Sequence, residues 1–436
     1  MKSRSVFSID IYILSSTIAL VVVGVLFIYS SGINSTGELI SREYLRQIVW
    51  AGTGLLLLSG FAYFDYERLY SYVMPILAIA LVLLIVTLFF GRVVNGARSW
   101  IGIGGLGVQP SEFAKIATIV VLAKLAQDRH LLGLKGFLVG LAVVMVPTLL
   151  VLAQPDLGTA MVFLPIYLGV AFFNGAKIRH IMFIILSAGF LALFTVLPAW
   201  EQFIAGARLP AMAILTDPGL LTAVVGGLTV VGVLAVAGYL LWGALPFYWV
   251  GYFSLILILG LLGSYVTRRV LQDYQIMRLI VFLDPYVDPR GAGWNIIQSV
   301  TAVGSGGAFG KGFLQGTQSH YQYLPQQSTD FIFSILAEEW GFVGSLFIFA
   351  LFLLIMGRGI YIVAQAKDRF AASLAAGVVT MFFFHFVINV GMAIGVMPIT
   401  GIPLFFLSYG GSSLWTGMIG VGILMSIYSH RYKYTA

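Results

Sequence analysis

Long apolar runs recur along most of this 436-residue chain, and they limit its fold more than any other feature. A helix needs about 20 apolar residues to cross the hydrocarbon core of a bilayer, and its backbone polar groups are satisfied within the helix itself. Charged residues make up only 9% of the chain, whereas soluble domains carry about 25%. The sequence therefore predicts an all-α fold, a polytopic transmembrane helical bundle.

Twelve runs are long enough to be predicted as transmembrane spans. They cover residues 10–30, 47–64, 72–90, 112–126, 137–153, 157–175, 180–199, 219–241, 247–266, 329–356, 371–397 and 411–429. The two runs within residues 219–266 are almost purely apolar and carry no motif, so we interpret them as an inserted transmembrane hairpin. The chain, residues 1–436, is thus predicted to be one integral membrane domain with a large extracellular loop at residues 267–328.

Basic residues in the short loops predict the orientation, because Lys and Arg concentrate on the cytoplasmic side. With a cytoplasmic N-terminus, the following basic residues all fall inside: Lys2, Arg4, Lys124, Arg129, Lys135, Lys177, Arg179, Arg358, Lys367, Arg369, Arg431 and Lys433. An even number of spans places both termini in the cytoplasm and residues 284–330 outside. Arg268 and Arg269 fall outside, against the trend, so either this loop handles an anionic substrate or a nearby span is misplaced.

The polar segment at residues 284–330 stands between apolar runs and contains two Asp-Pro pairs. Proline restricts the preceding residue to extended conformations, so the carboxylates of Asp284 and Asp288 are predicted to lie on turns. A carboxylate there could act as a general base at the bilayer surface. Alternatively, both are ordinary turn residues that cap helices.

The same polar segment contains the sequence GSGGAFGKG at residues 304–312. Glycine-rich backbone beside a lysine, here Lys311, could cradle phosphate oxygens. It is not a P-loop, because Gly312 follows the lysine where that motif requires Ser or Thr. The alternative interpretation is a plain flexible loop.

Ionisable residues also lie inside predicted spans, where an unpaired charge is costly. Glu112 and Lys115 are three residues apart and share a helix face, with Ser111 predicted as the N-cap. They are either functional or a structural ion pair. Glu338 and Glu339 lie about two turns into another span, and we expect one of them to pair with a basic group such as Lys115.

Several polar or aromatic residues lie near the outer ends of spans. Arg46, Arg98 and Trp100 could meet a lipid head group. Alternatively, Arg46 snorkels to the interface and Trp100 is an ordinary interfacial anchor. Ser408 opens a run of small residues that would permit close helix approach. The five histidines show no ligand spacing and the chain has no cysteine, so a dedicated zinc site is not expected.

Taken together, these motifs resemble the SEDS family of bacterial cell-wall polymerases, which act in shape, elongation, division and sporulation. The matching segments are QPSEFAK (109–115), QPDLGT (154–159), DPYVDPRGAGW (284–294), GSGGAFGKG (304–312), TDFIFSILAEEWGFVG (329–344) and NVGMAIGVMPITGIPLFFLSYGGSS (389–413). The glycine-rich sequence that begins at residue 304 and the C-terminal MSIYSHR sequence are most similar to RodA-type elongation members. The family usually has ten spans, so the 219–266 hairpin is a departure that brings the total to about twelve.

The resemblance implies a peptidoglycan glycosyltransferase of the inner membrane that polymerises lipid II for cell elongation and rod shape. Lipid II is a disaccharide-pentapeptide carried on undecaprenyl diphosphate. The family's catalytic acid in the large extracellular loop corresponds to Asp288, which would serve as general base. The predicted substrate-binding residues are Glu112, Lys115, Lys311, Arg46, Arg98, Trp100, Gln298, Ser299, Glu338 and Ser408.

The resemblance also implies a class B penicillin-binding protein transpeptidase as partner, within the elongation machinery. No cofactor is firmly expected; a divalent cation, Mg or Mn, could assist departure of the diphosphate. The competing function is a lipid II flippase, which intramembrane charges and broken helices would suit. A scaffold that only recruits the transpeptidase is the third alternative, and it would leave the loop acids unexplained.

Overall fold

The computed structural model describes residues 9–94, 96–103, 106–128, 131, 133–206, 209–271, 273–321 and 323–431. Four of the basic residues that predict the orientation lie outside this described part: Lys2, Arg4, Arg129 and Lys433. The orientation itself therefore stays a prediction.

Helices dominate the described residues. They are α1 (Ile11–Ser31), α2 (Glu43–Tyr63), α3 (Glu67–Ser71), α4 (Val73–Phe90), α5 (Pro110–Gln127), α6 (Gly133–Ala153), α7 (Leu157–Phe173), α8 (Ile178–Trp200), α9 (Ala213–Thr216), α10 (Pro218–Trp242), α11 (Leu245–Val270), α12 (Asp273–Leu283), α13 (Trp294–Ser305), α14 (Thr317–His320), α15 (Ile332–Gln365), α16 (Arg369–Ala393) and α17 (Gly411–His430). A small antiparallel sheet follows α4, with strands β1 (Arg92–Val94), β2 (Ala97–Ile103) and β3 (Leu106–Val108) in that order. The predicted helical bundle is confirmed, and this sheet is an addition to it.

Within the described residues, ten helices are long and apolar enough to cross a membrane: α1, α2, α4, α6, α8, α10, α11, α15, α16 and α17. All twelve predicted spans overlap helices, but α5 and α7 do not reach this standard. Helix α7 has only 17 residues. Helix α5 carries Glu112, Lys115 and Lys124, which lower its hydropathy. Since α10 and α11 are among the ten, the division into a ten-span core and an extra hairpin stays a prediction.

The helices form two compact units, and the first contains Met1–Ala176 and Gln298–Ala436. Small residues let its helices pack closely, as is common in membrane bundles. A Cβ added to Gly422 in α17 would lie 2.7 Å from the carbonyl oxygen of Leu58 in α2, so only glycine permits this approach. Helices α16 and α17 are mostly buried within the bundle, and they carry several of the polar side chains considered below.

Helix α15 is bent within the first unit. Gly341 has φ +66° and ψ −160°, which interrupts the helical backbone. A break of this kind frees backbone N–H and C=O groups that must find other partners inside a membrane protein. The partners come from the glycine-rich segment that precedes the helix, as described below.

The second unit contains Lys177–Ile297. Helices α10 and α11 form a hairpin, closed by Gly243 in the left-handed conformation at φ +64°, which is the usual way a helix ends at glycine. Leu215, Leu221 and Leu261 form a small buried cluster in this unit. Most side chains of α10 are exposed, as expected of a helix whose surroundings are lipid.

Candidate functional site

Both Asp-Pro pairs lie on one turn of the second unit, which we call the aspartate turn (residues 284–293). The Asp284 carboxylate caps the 3₁₀ turn Pro285–Val287 by accepting from the N–H of Tyr286 at 2.9 Å. The Asp288 carboxylate accepts from the N–H of Gly291 at 3.1 Å and from the N–H of Ala292 at 2.8 Å. The prediction that both carboxylates lie on turns is confirmed.

Two glycines allow the aspartate turn to close around Asp288. A Cβ at Gly291 would lie 2.2 Å from an Asp288 carboxylate oxygen, and a Cβ at Gly293 would lie 2.1 Å from the carbonyl oxygen of Pro285. Both distances are far below van der Waals contact. The sequence therefore builds a tight turn that holds a half-buried carboxylate by two backbone N–H groups, and a carboxylate has further lone pairs left to accept a proton.

The glycine segment (residues 304–316) lies in the first unit and packs on the bend of α15. The N–H groups of Lys311 and Gly312 donate to the carbonyl oxygens of Glu338 and Glu339, both at 3.0 Å. On the other side of the bend, the N–H of Phe342 donates to Gly307 at 2.9 Å. These bonds satisfy the backbone groups that the bend at Gly341 frees.

Close backbone contact explains two glycines of this segment. A Cβ at Gly306 would lie 2.0 Å from the carbonyl oxygen of Ala337, and one at Gly310 would lie 2.0 Å from that of Glu339. Gly310 also has φ +78°, which side chains other than glycine adopt only at a cost. The glycines thus permit packing against α15, whereas the predicted phosphate cradle stays untested.

Glu338 is fully buried and pairs with Lys311, whose Nζ lies 2.6 Å from Glu338 Oε1. The same oxygen accepts from the N–H of Thr317 at 2.8 Å and from that of Gln318 at 3.1 Å. The prediction that one of the two glutamates pairs with a basic group is therefore confirmed, but its partner is Lys311 and not Lys115, the example that the sequence suggested. A buried carboxylate requires a cation, and the chain has several that could serve. Lys311 of the glycine segment is the one that lies against Glu338.

Glu339 is also fully buried, and its carboxylate accepts from the hydroxyl of Ser30 in α1 and from the N–H of Leu314. His320 Nε2 lies 3.8 Å from Glu339 Oε1. Burial lowers the pKa of the His320 imidazole below its ordinary value, which favours the neutral ring at neutral pH. The two adjacent glutamates thus tie the glycine segment and α1 to α15.

Lys115 lies at the centre of a second buried polar cluster in the first unit. Its Nζ is 2.7 Å from Glu112 Oε1 and 3.0 Å from His385 Nε2 of α16. Both Lys115 and Glu112 are at most 1% exposed. The prediction that Glu112 and Lys115 share a helix face is confirmed, and they form a buried ion pair.

Helix α5 begins two residues earlier than expected. Its N-cap is Gln109 and Pro110 occupies the first turn, so the prediction of Ser111 as N-cap is wrong. Proline suits the first helical position because its φ is already helical and its missing N–H has no partner there anyway. As a result, the Ser111 hydroxyl is buried without a hydrogen-bond partner among the described residues.

Residues that the sequence reasoning did not single out extend this cluster. Gln109 Nε2 donates to Asp156 at 2.9 Å, and the backbone N–H of Gln109 donates to the hydroxyl of Ser412 at 2.9 Å. Asp156 in turn caps α7 by accepting from the N–H of Thr159 at 3.0 Å. Two sequence signals could have identified residues of this cluster. Gln109 and Asp156 lie in family motifs, and His385 is an ionisable residue within a span.

The remaining candidates of the first unit are dispersed. Arg46 is exposed and lies close to Tyr409, and Arg98 on β2 donates to the carbonyl oxygen of Phe89 at 3.3 Å. Trp100 also lies on β2, and Ser408 is buried in the turn before α17, where its hydroxyl accepts from the N–H of Leu404 at 2.9 Å.

Two candidates lie side by side on α13. Gln298 is half-buried, whereas Ser299 is fully buried, 2.6 Å from the hydroxyl of Ser334 in α15, and donates to the carbonyl oxygen of Ala393 at 2.7 Å. These bonds give Ser299 a helix-packing role, and the substrate-binding role predicted for both residues stays a prediction.

Within the described residues, no group of three or more His, Cys, Asp or Glu side chains could hold a metal ion. The described side chains therefore offer no three-ligand site for a resident divalent cation.

Comparisons with known proteins agree with the motifs. The family model for FtsW, RodA and SpoVE cell cycle proteins matches residues 11–206 and 199–433. The peptidoglycan glycosyltransferase RodA of Treponema pallidum is 50% identical over 428 residues, which cover 98% of this chain and 99% of the relative. The peptidoglycan glycosyltransferase MrdB of Escherichia coli K12 is 34% identical over 416 residues, covering 95% and 92% of the two chains.

Solved structures show the same architecture. A chain from a peptidoglycan synthase complex, studied for the coordination of polymerization and crosslinking, matches with a TM-score of 0.68 and 27% identity over 98% of this chain and 100% of that chain. The rod shape determining protein RodA of Thermus thermophilus matches with a TM-score of 0.61 and 25% identity over 98% and 99%. The chain therefore belongs to the FtsW, RodA and SpoVE family of cell cycle proteins.

Proposed function

We propose that this protein polymerises lipid II into glycan strands, with Asp288 as general base. Relatives named peptidoglycan glycosyltransferases match nearly its whole length, and the chain is an enzyme of this class. The observation that carries the catalytic proposal is the aspartate turn, whose two glycines and two backbone N–H groups hold the Asp288 carboxylate in a defined orientation.

The reaction that we propose is a direct displacement at the donor sugar. Asp288 takes the proton from the 4-hydroxyl of the acceptor's terminal GlcNAc as its oxygen attacks the anomeric carbon of the donor MurNAc. The new C–O bond forms as the bond to undecaprenyl diphosphate breaks, with inversion at that carbon. Proton removal by a positioned carboxylate is the ordinary task of a general base.

The departing diphosphate gains negative charge, which a fixed cation would stabilise. We assign this role to Lys115, because its ammonium is buried and held by two side chains. A charge interaction at a buried site is stronger than one at the surface, because the effective dielectric constant is lower there. Lys311 is a weaker candidate, since its ammonium already contacts Glu338 at 2.6 Å and Thr317 at 2.7 Å.

The chain is a multi-pass membrane protein. We further propose that it lies in the bacterial inner membrane with both termini cytoplasmic and residues 284–330 outside, where the lipid-linked sugar is displayed. We also propose a class B penicillin-binding protein as partner. The match to a chain of a peptidoglycan synthase complex supports this pairing.

Purified protein supplied with labelled lipid II tests the proposal, alone and with the transpeptidase. Glycan ladders are the expected product, and they should disappear in the Asp288→Ala variant while the protein still folds. Full activity of that variant would overturn the role of Asp288. Translocation of lipid II across vesicles without ladders would instead indicate a flippase, the alternative that the buried charges of α5 and the bend in α15 favour.

A further inference from the structure

We propose that His385 is a positioning residue that fixes the direction of the Lys115 ammonium group. This inference rests on the proposed function, in which Lys115 stabilises the diphosphate leaving group. His385 lies on α16, 270 residues beyond Lys115, and its imidazole is 1% exposed. Its position beside a buried lysine is therefore a product of helix packing rather than of local sequence.

The hydrogen bonds of His385 determine its tautomer. Its Nδ1 lies 2.9 Å from the carbonyl oxygen of Pro403, and a carbonyl oxygen can only accept, so Nδ1 carries the proton. In the neutral ring, Nε2 then has a lone pair and acts as an acceptor. Nε2 lies 3.0 Å from Lys115 Nζ, which can only donate. Each ring nitrogen thus meets a partner of the opposite kind, and the neutral ring accepts from the ammonium.

Two fixed acceptors orient the third N–H of the ammonium group. A lysine ammonium has three donors on a flexible stem, and Glu112 Oε1 at 2.7 Å and His385 Nε2 at 3.0 Å take two of them. Among the described residues, these are the acceptors that Nζ contacts. With both in place, rotation of the ammonium is blocked and its third N–H has one direction.

The packing around His385 holds the imidazole itself. The ring centroid of Phe405 lies 4.1 Å from that of His385 and 5.4 Å from Lys115 Nζ. Phe405 and Pro403 belong to the same segment between α16 and α17, so one stretch of chain contacts the imidazole both through a tilted ring contact and through a hydrogen bond. An imidazole held in this way can position Lys115. An ammonium N–H whose direction is already fixed loses less conformational freedom when it binds a charged oxygen.

The two ring contacts can be removed separately by amide substitutions. His385→Asn places an N–H near the position of Nδ1 and can keep the bond to Pro403, but it does not reach Lys115. His385→Gln places a carbonyl oxygen near the position of Nε2 and can still accept from Lys115. If His385 acts through the ammonium, Gln should preserve function better than Asn.

The test measures binding of labelled undecaprenyl diphosphate and polymerisation of lipid II by the full-length protein, together with the thermal midpoint of unfolding. His385→Asn should weaken diphosphate binding by about tenfold or more, the value of a charge-assisted hydrogen bond, while His385→Gln stays within about threefold of wild type. In a Lys115→Met background, His385→Asn should have no further effect, because the group that it positions is gone.

The outcomes separate the two levels of the argument. If Lys115→Met binds undecaprenyl diphosphate as tightly as wild type, the proposed role of Lys115 fails and the inference fails with it. If Lys115→Met weakens binding but His385→Asn and His385→Gln do not differ, the role of Lys115 stands and only the inference is overturned. Equal losses in both His385 variants, in step with a lower thermal midpoint, would show a packing role.

Discussion

Glycines have different structural roles in two stretches of the polar segment, the aspartate turn and the glycine segment. In the aspartate turn, Gly291 and Gly293 let backbone N–H groups close around one carboxylate, which stays half-buried. In the glycine segment, Gly306 and Gly310 let the backbone lie directly on α15, where the carboxylates beneath are fully buried. Glycines therefore mark places where the backbone lies close to another group. Whether a carboxylate there is available for chemistry or serves packing depends on its burial and its hydrogen-bond partners.

The largest expected effect concerns the aspartate turn. Asp288→Asn keeps the size of the side chain but removes its basicity, so polymerisation of lipid II should fall about 100- to 10,000-fold. The thermal midpoint should change little, because Asp288 is not fully buried. The matched control is Asp284→Asn, which alters the cap on Tyr286 N–H in the same turn and should retain most activity. Equal losses in both variants would mean that the turn, rather than one carboxylate, matters.

The second prediction addresses the glycine segment through its central carboxylate. Glu338→Ala leaves the Lys311 ammonium and the N–H groups of Thr317 and Gln318 without their acceptor. Breaking a buried ion pair costs about 3–5 kcal/mol, which thermal unfolding in detergent or nanodiscs would register. Lys311→Met leaves the fully buried Glu338 carboxylate without its cation, so it should destabilise the protein by a similar amount. Lost polymerisation at an unchanged thermal midpoint would instead assign Glu338 to the substrate.

The third prediction tests the backbone contact directly. Gly310→Ala forces a Cβ to 2.0 Å from the carbonyl oxygen of Glu339 at φ +78°, and the left-handed conformation alone costs about 1–2 kcal/mol. We expect a loss of free energy of unfolding above about 2 kcal/mol. Gly304→Ala is the matched control, because an added Cβ there meets nothing within 4 Å. It lies in α13, where alanine is the better helix former. Similar losses in both variants would contradict the packing explanation.

The smallest effect concerns pH. Burial holds the pKa of His320 below its ordinary value, so the unfolded chain binds a proton more readily than the folded one. Stability contributed by the neutral ring is therefore lost as pH falls below about 6.5 and through the folded pKa. The fall in thermal midpoint between about pH 7.5 and pH 5.5 should be shallower in His320→Gln than in wild type. A steeper fall in the variant would indicate that His320 is protonated and pairs with Glu339.

Much of the fold and part of the site could be predicted from local sequence. Apolar runs of span length gave the helices, because a bilayer leaves the backbone no alternative. The Asp-Pro pairs predicted turns at Asp284 and Asp288, since proline restricts the residue before it. The three-residue spacing of Glu112 and Lys115 predicted their pairing on one helix face. Each of these conclusions depends on neighbours within a few residues.

The partners of the buried charges could not be predicted in the same way. Desolvation requires Glu338 and Glu339 to have hydrogen-bond donors, but it does not say which ones. The sequence suggested Lys115 as one example of a basic partner, whereas the structure has Lys311. The start of α5 was misplaced for a related reason, because Gln109 at the N-cap is held by hydrogen bonds to Asp156 and Ser412, which lie far away in the sequence.

By itself, the sequence determined that this protein is a helical membrane bundle, that its motifs are those of the FtsW, RodA and SpoVE family, and that Asp284 and Asp288 lie on turns. The helices and the turns follow from hydropathy and proline, whose effects are local. Only the tertiary structure decided that Lys115 faces His385 and that the glycine segment packs on the bend of α15. Such contacts join residues far apart in the chain, and the packing of whole helices chooses among the partners that local chemistry leaves open.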